Sequence, residues 1–371
     1  MALKPAEEML NEALAAWNWG GTVVGAVRYG AGHINDTFCV YTQTAEGDCV
    51  RFILQRINTN TFTDPAGLME NICGVTGFLR KKIEEKGGDV ARETMNVVPT
   101  ADGKPYYADT NGGAWRVYTF VEGTVCLQKV ESPDDFYASA YAFGQFQQLL
   151  ADYPASTLHE TIARFHDTAN RYANFEKALE ADVCGRAKDV QAEIEFVKAH
   201  KADCSYMVDL LAAGKLPLRV THNDTKLNNI LMDKATRQGI CVIDLDTVMP
   251  GLAANDYGDS IRFGANDCAE DEKDLTKVNF SLPLFETYTK GFLAACGSAL
   301  TDLEKETLPW GAKLMTLECG IRFLTDYLEG DHYFKVHREG HNLDRCRTQF
   351  KLVRDMEAAW DEMAAIVKKY S

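Results

Sequence analysis

The chain has 371 residues, of which 46% are hydrophobic and 25% charged, and its formal net charge is −15 at pH 7. This length allows a large buried core and suggests two domains. The acidic balance and the lack of any Lys/Arg-rich run argue against nucleic acid or an anionic membrane as a partner.

The first third of the chain predicts a small sheet with one main helix. Asp64 and Pro65 form a helix start, apolar residues recur behind them at helical spacing, and Gly87 and Gly88 form a stop. Apolar and β-branched residues predict five strands, at 22–28, 37–41, 50–57, 106–108 and 115–120.

A glycine turn lies between the first two strands, where Gly30 and Gly32 would let the backbone approach nucleotide phosphates. His33, Asn35 and Asp36 make this turn more polar than a hairpin needs, and we expect substrate contacts from this polar turn. Two plainer interpretations stay open: an ordinary hairpin, or Asn35 and Asp36 binding their own backbone. The turn lacks the third glycine of a dinucleotide site, and the chain has no GxxxxGK[ST] motif.

The segment from Thr119 through Phe120 and Val121 to residue 123 predicts a hinge whose backbone can pair with an adenine edge. Beyond it the pattern is helical, with helices expected from 133, at 163–179 and at 190–200. We therefore expect an α+β fold of two lobes. A nucleotide-binding lobe of antiparallel strands (1–118) would be followed by the hinge (119–123) and a larger, mainly helical catalytic and substrate-binding lobe (124–371).

The stretch 221–246, THNDTKLNNILMDKATRQGICVIDLD, carries the most informative spacing. Phosphoryl transfer needs a carboxylate that receives the acceptor's proton and a sparse set of oxygen ligands for magnesium. Asp224 fits the first role, and Asn229 and Asp244 fit the second, with Asp244 at the end of an apolar strand. The alternatives are a chance match and acids that merely cap turns. His222 is interpreted as a brace for the loop.

Near the C-terminus, leucines and an isoleucine between 314 and 328 recur at three and four residues and predict a helix with a buried stripe. Arg322 and Asp326 on this helix are four residues apart, so a surface ion pair is the default interpretation. With Asp331, His332 and Tyr333 they also form a polar patch suited to hydroxyl recognition.

The eleven cysteines are scattered without a CxxC spacing, and no signal peptide or apolar stretch of membrane length is visible. We expect a cytoplasmic protein whose cysteines are free thiols. The sequence does not report an oligomeric state.

The run from 221 to 265, with its THxDTKxxN and DLDT forms, resembles the aminoglycoside phosphotransferase and choline kinase superfamily. Together with GAGHINDTF at 30–38, FILQRIN at 52–58 and GIRFLTDYLEGDHYF at 320–334, it is most similar to the bacterial N-acetylhexosamine 1-kinases within that superfamily. The resemblance implies a bilobal, protein-kinase-like fold. It also implies transfer of the ATP γ-phosphate to the anomeric hydroxyl of GlcNAc or GalNAc.

The resemblance further implies roles for single residues. Lys226 would stabilise charge on the moving phosphoryl group beside Asp224, and Asp246 would be an additional or substitute ligand for Mg²⁺. Arg322 and Tyr333 would contact the sugar, as would His33 and Asp36. Asp259 and Arg262 would brace the catalytic loop.

One departure concerns the strand that should offer a phosphate-binding lysine, which reads Leu54, Gln55, Arg56. That role would fall to Arg56 or be shared with Gln55, with Glu70 as a candidate acidic partner. The chain lacks DFG, APE and VAIK sequences, which disfavours a protein kinase. The open alternatives are a kinase of choline, homoserine, an aminoglycoside or another sugar, and a nucleotide-binding pseudoenzyme.

Overall fold

The structure, a computed structural model, describes residues 5–30 and 34–371. Its first part is a sheet with two helices. In chain order the elements are α1 (Ala6–Leu14), β1 (Thr22–Arg28), β2 (Asp36–Gln43), β3 (Cys49–Ile57), α2 (Pro65–Glu85), β4 (Val97–Val98), β5 (Tyr107–Ala108) and β6 (Ala114–Thr119).

The second part is mainly helical and contains five short strands. In chain order these elements are β7 (Thr124–Val125), α3 (Pro133–Leu149), α4 (Thr168–Ala181), α5 (Gln191–Ala199), α6 (Lys201–Ala212), β8 (Arg219–Thr221), β9 (Ile230–Asp233), β10 (Gly239–Val242), β11 (Met249–Gly251), α7 (Ala253–Gly264), α8 (Leu282–Cys296), α9 (Asp302–Glu306), α10 (Leu308–Glu329), α11 (His341–Ala358) and α12 (Trp360–Tyr370).

The six strands β1 to β6 form one antiparallel sheet in the order β1-β2-β3-β6-β4, with β5 also paired to β6. Side chains alternate between its two faces. On one face Leu54 and Trp115 pack with α1, and on the other Ile57 and Tyr118 pack with α2. A residue's position within its strand therefore decides whether it points toward α1 or toward α2.

The predicted α+β architecture is confirmed, and each predicted strand overlaps an observed one. Helix α1 and the two-residue strand β4 were not predicted. The helix predicted at 163–179 begins only at Thr168. There the Asp167 carboxylate accepts a hydrogen bond from the Asn170 amide as an N-cap, and Arg164 just before it has a positive φ of 54°. The predicted lobe boundaries at 118, 119–123 and 124 stay a prediction.

Helices α7 and α10 approach so closely that only glycines fit at their crossing. A Cβ on Gly258 would lie 2.1 Å from the Gly311 carbonyl oxygen, and a Cβ on Gly311 would lie 2.0 Å from the Ala254 carbonyl oxygen. Because α7 also contacts the 222–229 loop, this crossing fixes the loop to the long helix α10. No helix in the two described ranges has the length and apolar character needed to span a membrane.

Candidate active site

The loop that follows β8 is held by a carboxylate from α7. Asp256 is fully buried; its Oδ2 accepts from the His222 amide at 2.9 Å and from Gln147 Nε2 at 2.7 Å, and its Oδ1 accepts from the Asn223 amide at 2.8 Å. Asn223 has a positive φ of 64°. Because L-residues rarely adopt this conformation, the bound amide helps to keep it. Asp256 was missed from the sequence, where it is an ordinary acid ten residues beyond the DLD.

His222 joins this loop to the segment that carries Asp244. Its Nε2 donates to the Ile243 carbonyl oxygen at 2.8 Å, and its Nδ1 accepts from the Asp224 amide at 3.2 Å. The ring is fully buried, with Phe143 and Phe146 edge-on to it. These contacts are those of a brace rather than of a group that meets substrate.

The predicted base, its lysine and one metal ligand lie together. Asp224 Oδ1 is 2.7 Å from Lys226 Nζ, and Asn229 Nδ2 donates to the Asp224 carbonyl oxygen at 2.8 Å and to Asp224 Oδ2 at 3.1 Å. Burial alone would lower the pKa of Lys226, but Asp224 and Asp259 outweigh it and the pKa is raised. Lys226 is therefore a fixed cation beside Asp224, whose side chain stays 27% exposed.

Asp244 lies at the turn after β10, with φ 61° and ψ 58°. The Ile243 amide donates to the Asn229 carbonyl oxygen at 2.9 Å, which brings the two segments side by side. Asp244 is exposed to solvent on one side, although many protein atoms lie around its carboxylate on the other sides. Burial, followed by the charges of Asp246 and Asp224, raises its pKa to about 6. Crowded carboxylates of this kind are relieved by a cation.

The oxygen donors at this turn fit a hard divalent cation. Asp244 and Asp246 supply carboxylates, and Asn229 keeps Oδ1 for a ligand because its Nδ2 is committed to Asp224. Asp246 Oδ1 is buried and accepts no aligned hydrogen bond from the described residues. Mg²⁺ prefers few protein oxygens together with phosphate and water, which matches this set.

The small sheet reaches Asp246 through two side chains. Asn35 Nδ2 donates to Asp246 Oδ2 at 2.6 Å, and Asn35 Oδ1 accepts from the Asn58 amide at 2.9 Å. Asn35 therefore binds Asp246 rather than its own turn, and the region where the α2 face of the sheet meets residues 224–246 is called the cleft. From β6, Arg116 Nη1 lies 2.5 Å from Asp246 Oδ1. Arg116 was missed because its partner lies 130 residues away in the sequence.

The structure does not bring Arg56 to this site. Arg56 projects from the α1 face of the sheet, where its Nε is 4.0 Å from Asp109 Oδ2 and its guanidinium is 6.0 Å from the Trp115 ring. Glu70, its suggested partner, instead has an oxygen 2.6 Å from His159 Nε2. Strand alternation explains the difference, because the neighbouring Gln55 occupies the opposite face.

Of the predicted phosphate loop, Gly30 has a positive φ of 80°, which favours glycine, whereas Gly32 and His33 lie outside the described residues. In the predicted hinge, the Thr119 amide donates to the Asn96 carbonyl oxygen at 3.0 Å and the Phe120 amide to the Arg51 carbonyl oxygen at 3.3 Å. Val121 is buried. Within the described ranges its amide donates no hydrogen bond, and neither do those of Glu122 and Gly123, so the hinge keeps free backbone donors; the adenine contact stays a prediction.

Two of the predicted sugar contacts meet each other. Arg322 Nη2 donates to the Tyr333 hydroxyl at 3.3 Å, and the Arg322 guanidinium lies 5.9 Å from the Phe165 ring and 5.3 Å from the Phe334 ring. Asp36 is not part of this group. It pairs with Arg28 at 2.5 Å on the exposed surface.

Asp326 does not form the surface ion pair with Arg322 that their spacing predicts. It is buried, and its two oxygens accept from the amides of His332, Tyr333 and Phe334 at 2.7–3.0 Å. The chain turns back at Gly330, which has a positive φ of 107°, so these amides return to the helix that carries Asp326. Asp326 thereby sets the position of Tyr333.

A buried histidine, also missed from the sequence, links the loop to α10. His166 Nδ1 lies 3.0 Å from Glu318 Oε1, and His166 Nε2 lies 3.1 Å from the Asn223 carbonyl oxygen. Both ring nitrogens face acceptors, and only the doubly protonated ring can donate to both. Burial alone would lower the pKa of His166, but Glu318 outweighs it and the pKa is raised.

Asp259 and Arg262 of α7 form a buried pair, with Asp259 Oδ1 3.0 Å from Arg262 Nε. Burial alone would raise the pKa of Asp259, but Arg262 and Lys226 lower it. The pair therefore provides charge beside Lys226 and does not reach the cleft, because both side chains are 9% exposed.

Comparison with known proteins gives a consistent result. The sequence pattern of the phosphotransferase enzyme family matches residues 26–278. An aminoglycoside phosphotransferase from Alicyclobacillus acidocaldarius is similar in structure, with a TM-score of 0.61 and 13% identity over 100% of this chain and 98% of its own. An amicoumacin kinase, solved with AMP-PNP and Ca²⁺, has a TM-score of 0.59 and 13% identity over 96% of this chain and 94% of its own. A choline kinase from Cryptosporidium parvum has a TM-score of 0.54 and 12% identity over 93% and 92%. At these identities the structural likeness shows the fold.

Proposed function

From the premise that this chain belongs to the phosphotransferase enzyme family, we propose that it transfers the γ-phosphate of ATP to the anomeric hydroxyl of an N-acetylhexosamine. The family makes it a small-molecule phosphotransferase with an alcohol acceptor. The hexosamine, the magnesium requirement and the residue roles are the proposal. The observation that carries it is the group of Asp224, Lys226 and Asn229 beside Asp244.

In this mechanism Asp224 orients the acceptor and receives its proton. As the hydroxyl oxygen forms a bond to the γ-phosphorus, the bond from that phosphorus to the bridging oxygen breaks, and ADP leaves with the electron pair. The proton passes to Asp224, whose side chain is open to the cleft. Lys226 stabilises negative charge on the transferring group. A cation bound by Asn229, Asp244 and Asp246 would neutralise charge on the triphosphate.

The 2.7 Å contact between Asp224 and Lys226 places the two catalytic side chains next to each other in the protein without substrate. Before substrate binds, each charge is compensated by the other. When the substrates bind, the acceptor hydroxyl would take Asp224 and the phosphoryl group would take Lys226. Because the two side chains are already side by side, the two reacting groups would be brought together in the orientation of the transition state.

The acceptor is inferred from the surroundings of Arg322. Aromatic rings of Phe165, Tyr333 and Phe334 surround its guanidinium, which fits the apolar faces and hydroxyl groups of a sugar ring. A second arginine, Arg171, lies close to Arg322. The pKa of Arg171 is lowered, first by burial and second by the positive charge of Arg322. Two arginines disfavour a cationic acceptor such as choline, because like charges repel. A neutral polyhydroxy compound is favoured.

A panel of acceptors tests this function. The protein is incubated with ATP, Mg²⁺ and one of GlcNAc, GalNAc, glucose, choline, homoserine or kanamycin, and ADP release is measured. We expect turnover with an N-acetylhexosamine. The product should carry its phosphate on C1, as determined by ³¹P and ¹H NMR. Turnover with choline or kanamycin alone would refute the hexosamine, and turnover with none would favour the pseudoenzyme.

The role of Asp224 is tested by Asp224→Asn, with Asp36→Asn as the matched control on the exposed sheet surface. We expect Asp224→Asn to reduce kcat by about 10²–10⁴-fold while ADP binding, measured by calorimetry, survives. Asp36→Asn should leave kcat within about twofold. A near-normal kcat for Asp224→Asn would remove this carboxylate from the mechanism.

A further inference from the structure

The cleft-facing side of the small sheet carries a buried cation, Arg116, which is 1% exposed. It lies opposite Gln55 in the register of β3 and β6. Arg116 Nε and Nη2 both donate to Gln55 Oε1, at 3.0 and 2.8 Å, and Gln55 Nε2 donates to Thr37 Oγ1 at 3.0 Å. Gln55 of β3 therefore holds the guanidinium in one orientation and is itself held by Thr37 of β2.

The third nitrogen of Arg116 contacts Asp246 in the segment 244–248, which carries the predicted metal ligands Asp244 and Asp246 and is called the metal loop. Nη1 is 2.5 Å from Asp246 Oδ1, in a geometry that does not align a hydrogen bond, and both atoms are buried without any other partner among residues 5–30 and 34–371. The nearby Tyr118 hydroxyl is also buried and has no partner in the part of the chain that the structure describes, and its ring lies 5.3 Å from the Arg116 guanidinium. Buried polar atoms without partners are rare in native proteins, and a cluster of them at a cleft is typical of a site that a bound ligand or ion completes.

The neighbouring helix does not supply the charge partner that a protein kinase would use. In protein kinases a strand lysine pairs with a helix glutamate. Here Glu70 of α2 points to His159, and the side chain of Glu70 is 68% exposed. Helix α2 instead contacts the metal loop through Asn71, whose Nδ2 donates to the Val248 carbonyl oxygen at 3.0 Å. The sheet cation thus reaches the metal loop directly.

We propose that Arg116 is a positioning residue that fixes the Asp246 carboxylate and thereby couples the small sheet to the divalent cation. This inference rests on the proposed function, in which Asn229, Asp244 and Asp246 bind that cation. Arginine suits the task because its planar fork can bind Gln55 with two nitrogens and Asp246 with the third, whereas lysine offers one. Asn35 brings the end of the glycine turn to the other oxygen of the same carboxylate. Asp246 is therefore the point where the sheet meets the metal site.

Calorimetry with ADP tests the proposal without any acceptor or turnover. The dissociation constant of ADP is measured with and without Mg²⁺ for wild type, Arg116→Met, Asp246→Asn and the double variant. If Arg116 acts through Asp246, Arg116→Met reduces the gain in ADP affinity that Mg²⁺ gives by about tenfold, and it changes metal-free binding by less than about threefold. In the Asp246→Asn background, Arg116→Met has little further effect.

Two variants serve as controls. Arg56→Met removes a cation from the opposite face and leaves both dissociation constants unchanged. Gln55→Lys in the Arg116→Met background returns a cation to the cleft face, opposite position 116, and restores part of the Mg²⁺ gain. Arg116→Lys, which keeps the charge but loses the fork, is used in the same design should Arg116→Met not fold.

Three results would overturn the proposal: loss of metal-free ADP binding in Arg116→Met, which would mean direct phosphate contact; additive effects of the two substitutions; or an unchanged Mg²⁺ gain. Absence of any Mg²⁺ gain in the wild type would instead refute the metal site of the proposed function. The two failures are therefore distinguishable.

Discussion

Asp256→Asn is the substitution whose effect the structure defines most sharply. The carboxylate accepts three hydrogen bonds, from the amides of His222 and Asn223 and from Gln147 Nε2. An asparagine of the same shape can accept on one oxygen only. Its least unfavourable orientation places that oxygen where the His222 amide and Gln147 meet, so its NH₂ group faces the Asn223 amide.

The expected loss of stability follows from those contacts. Leaving the buried Asn223 amide unpaired costs about 1–3 kcal/mol. The hydrogen bonds from the His222 amide and from Gln147 would then go to a neutral acceptor instead of a charged one, which costs about 1 kcal/mol for each bond. Part of this is offset because burial raises the pKa of Asp256, which means that the folded protein already bears the cost of desolvating this charge. We expect a net decrease of about 2–4 kcal/mol in the free energy of unfolding.

Catalysis should suffer separately from stability. Asn223, the residue immediately before Asp224, has a φ of 64°, and the hydrogen bond from its amide to Asp256 helps to keep it there. If that residue relaxes, the carboxylate of Asp224 moves, and a displacement of about 1 Å can cost about 10²-fold in rate. We therefore expect kcat to fall by about 10–100-fold at a temperature where the variant is fully folded.

Urea denaturation and steady-state kinetics measure the two effects. The matched control is Gln147→Met, which removes one donor and leaves the carboxylate its two amide bonds, for a loss of about 1 kcal/mol. The reasoning is refuted if Asp256→Asn is no more destabilising than Gln147→Met, or if its kcat equals that of the wild type.

Three further outcomes are expected. The pKa of His166 is raised from its ordinary value of 6.5, and the pKa of Glu318 is lowered from its ordinary value of 4.5. Their ion pair therefore stabilises the fold fully between pH 4.5 and pH 6.5, and this stabilisation is lost as pH rises through the raised pKa of His166. The difference in unfolding free energy between wild type and Glu318→Gln should thus be larger near about pH 6 than near about pH 9 in urea titrations; equal differences would contradict the ion pair. Because the pKa of Asp244 is raised to about 6, protons should compete with Mg²⁺. The Mg²⁺ concentration for half-maximal ADP release should therefore rise as pH falls below that value, and an unchanged concentration would remove Asp244 as a ligand. Arg322→Ala should raise the KM for the sugar by about tenfold or more with little change in the KM for ATP, whereas Tyr333→Phe should have a smaller effect; equal changes in both KM values would indicate damage to the fold.

The site could be predicted where its members are close in the chain. Asp224, Lys226 and Asn229 lie within six residues, so a single turn brings them together, and the β9–β10 hairpin returns Asp244 to Asn229. The pairing of Arg322 with Tyr333 also spans only eleven residues. In each case the covalent chain limits the distance, and the residue types then indicate the chemistry.

The sequence failed where the facing of a side chain mattered. Gln55 and Arg56 are neighbours with equal claims to phosphate contact, yet alternation sends one to the cleft and the other to the α1 face. Asp326 has the spacing of a surface pair with Arg322 but lies buried under three backbone amides. Neither outcome follows from spacing, because both depend on what packs against the element.

The sequence by itself determined that a strand-rich part precedes a larger helical part, and it grouped Asp224, Lys226 and Asn229 in the 222–229 loop, because hydrophobic periodicity and short spacings act through local geometry. Only the tertiary structure decided which distant groups serve that loop: Asp256 beneath it, His166 and Glu318 behind it, and Arg116 above Asp246. These partners are separated from the loop by tens to more than a hundred residues. Their pairing is set by the burial of charge and by the facing of strands and helices, which no local pattern encodes.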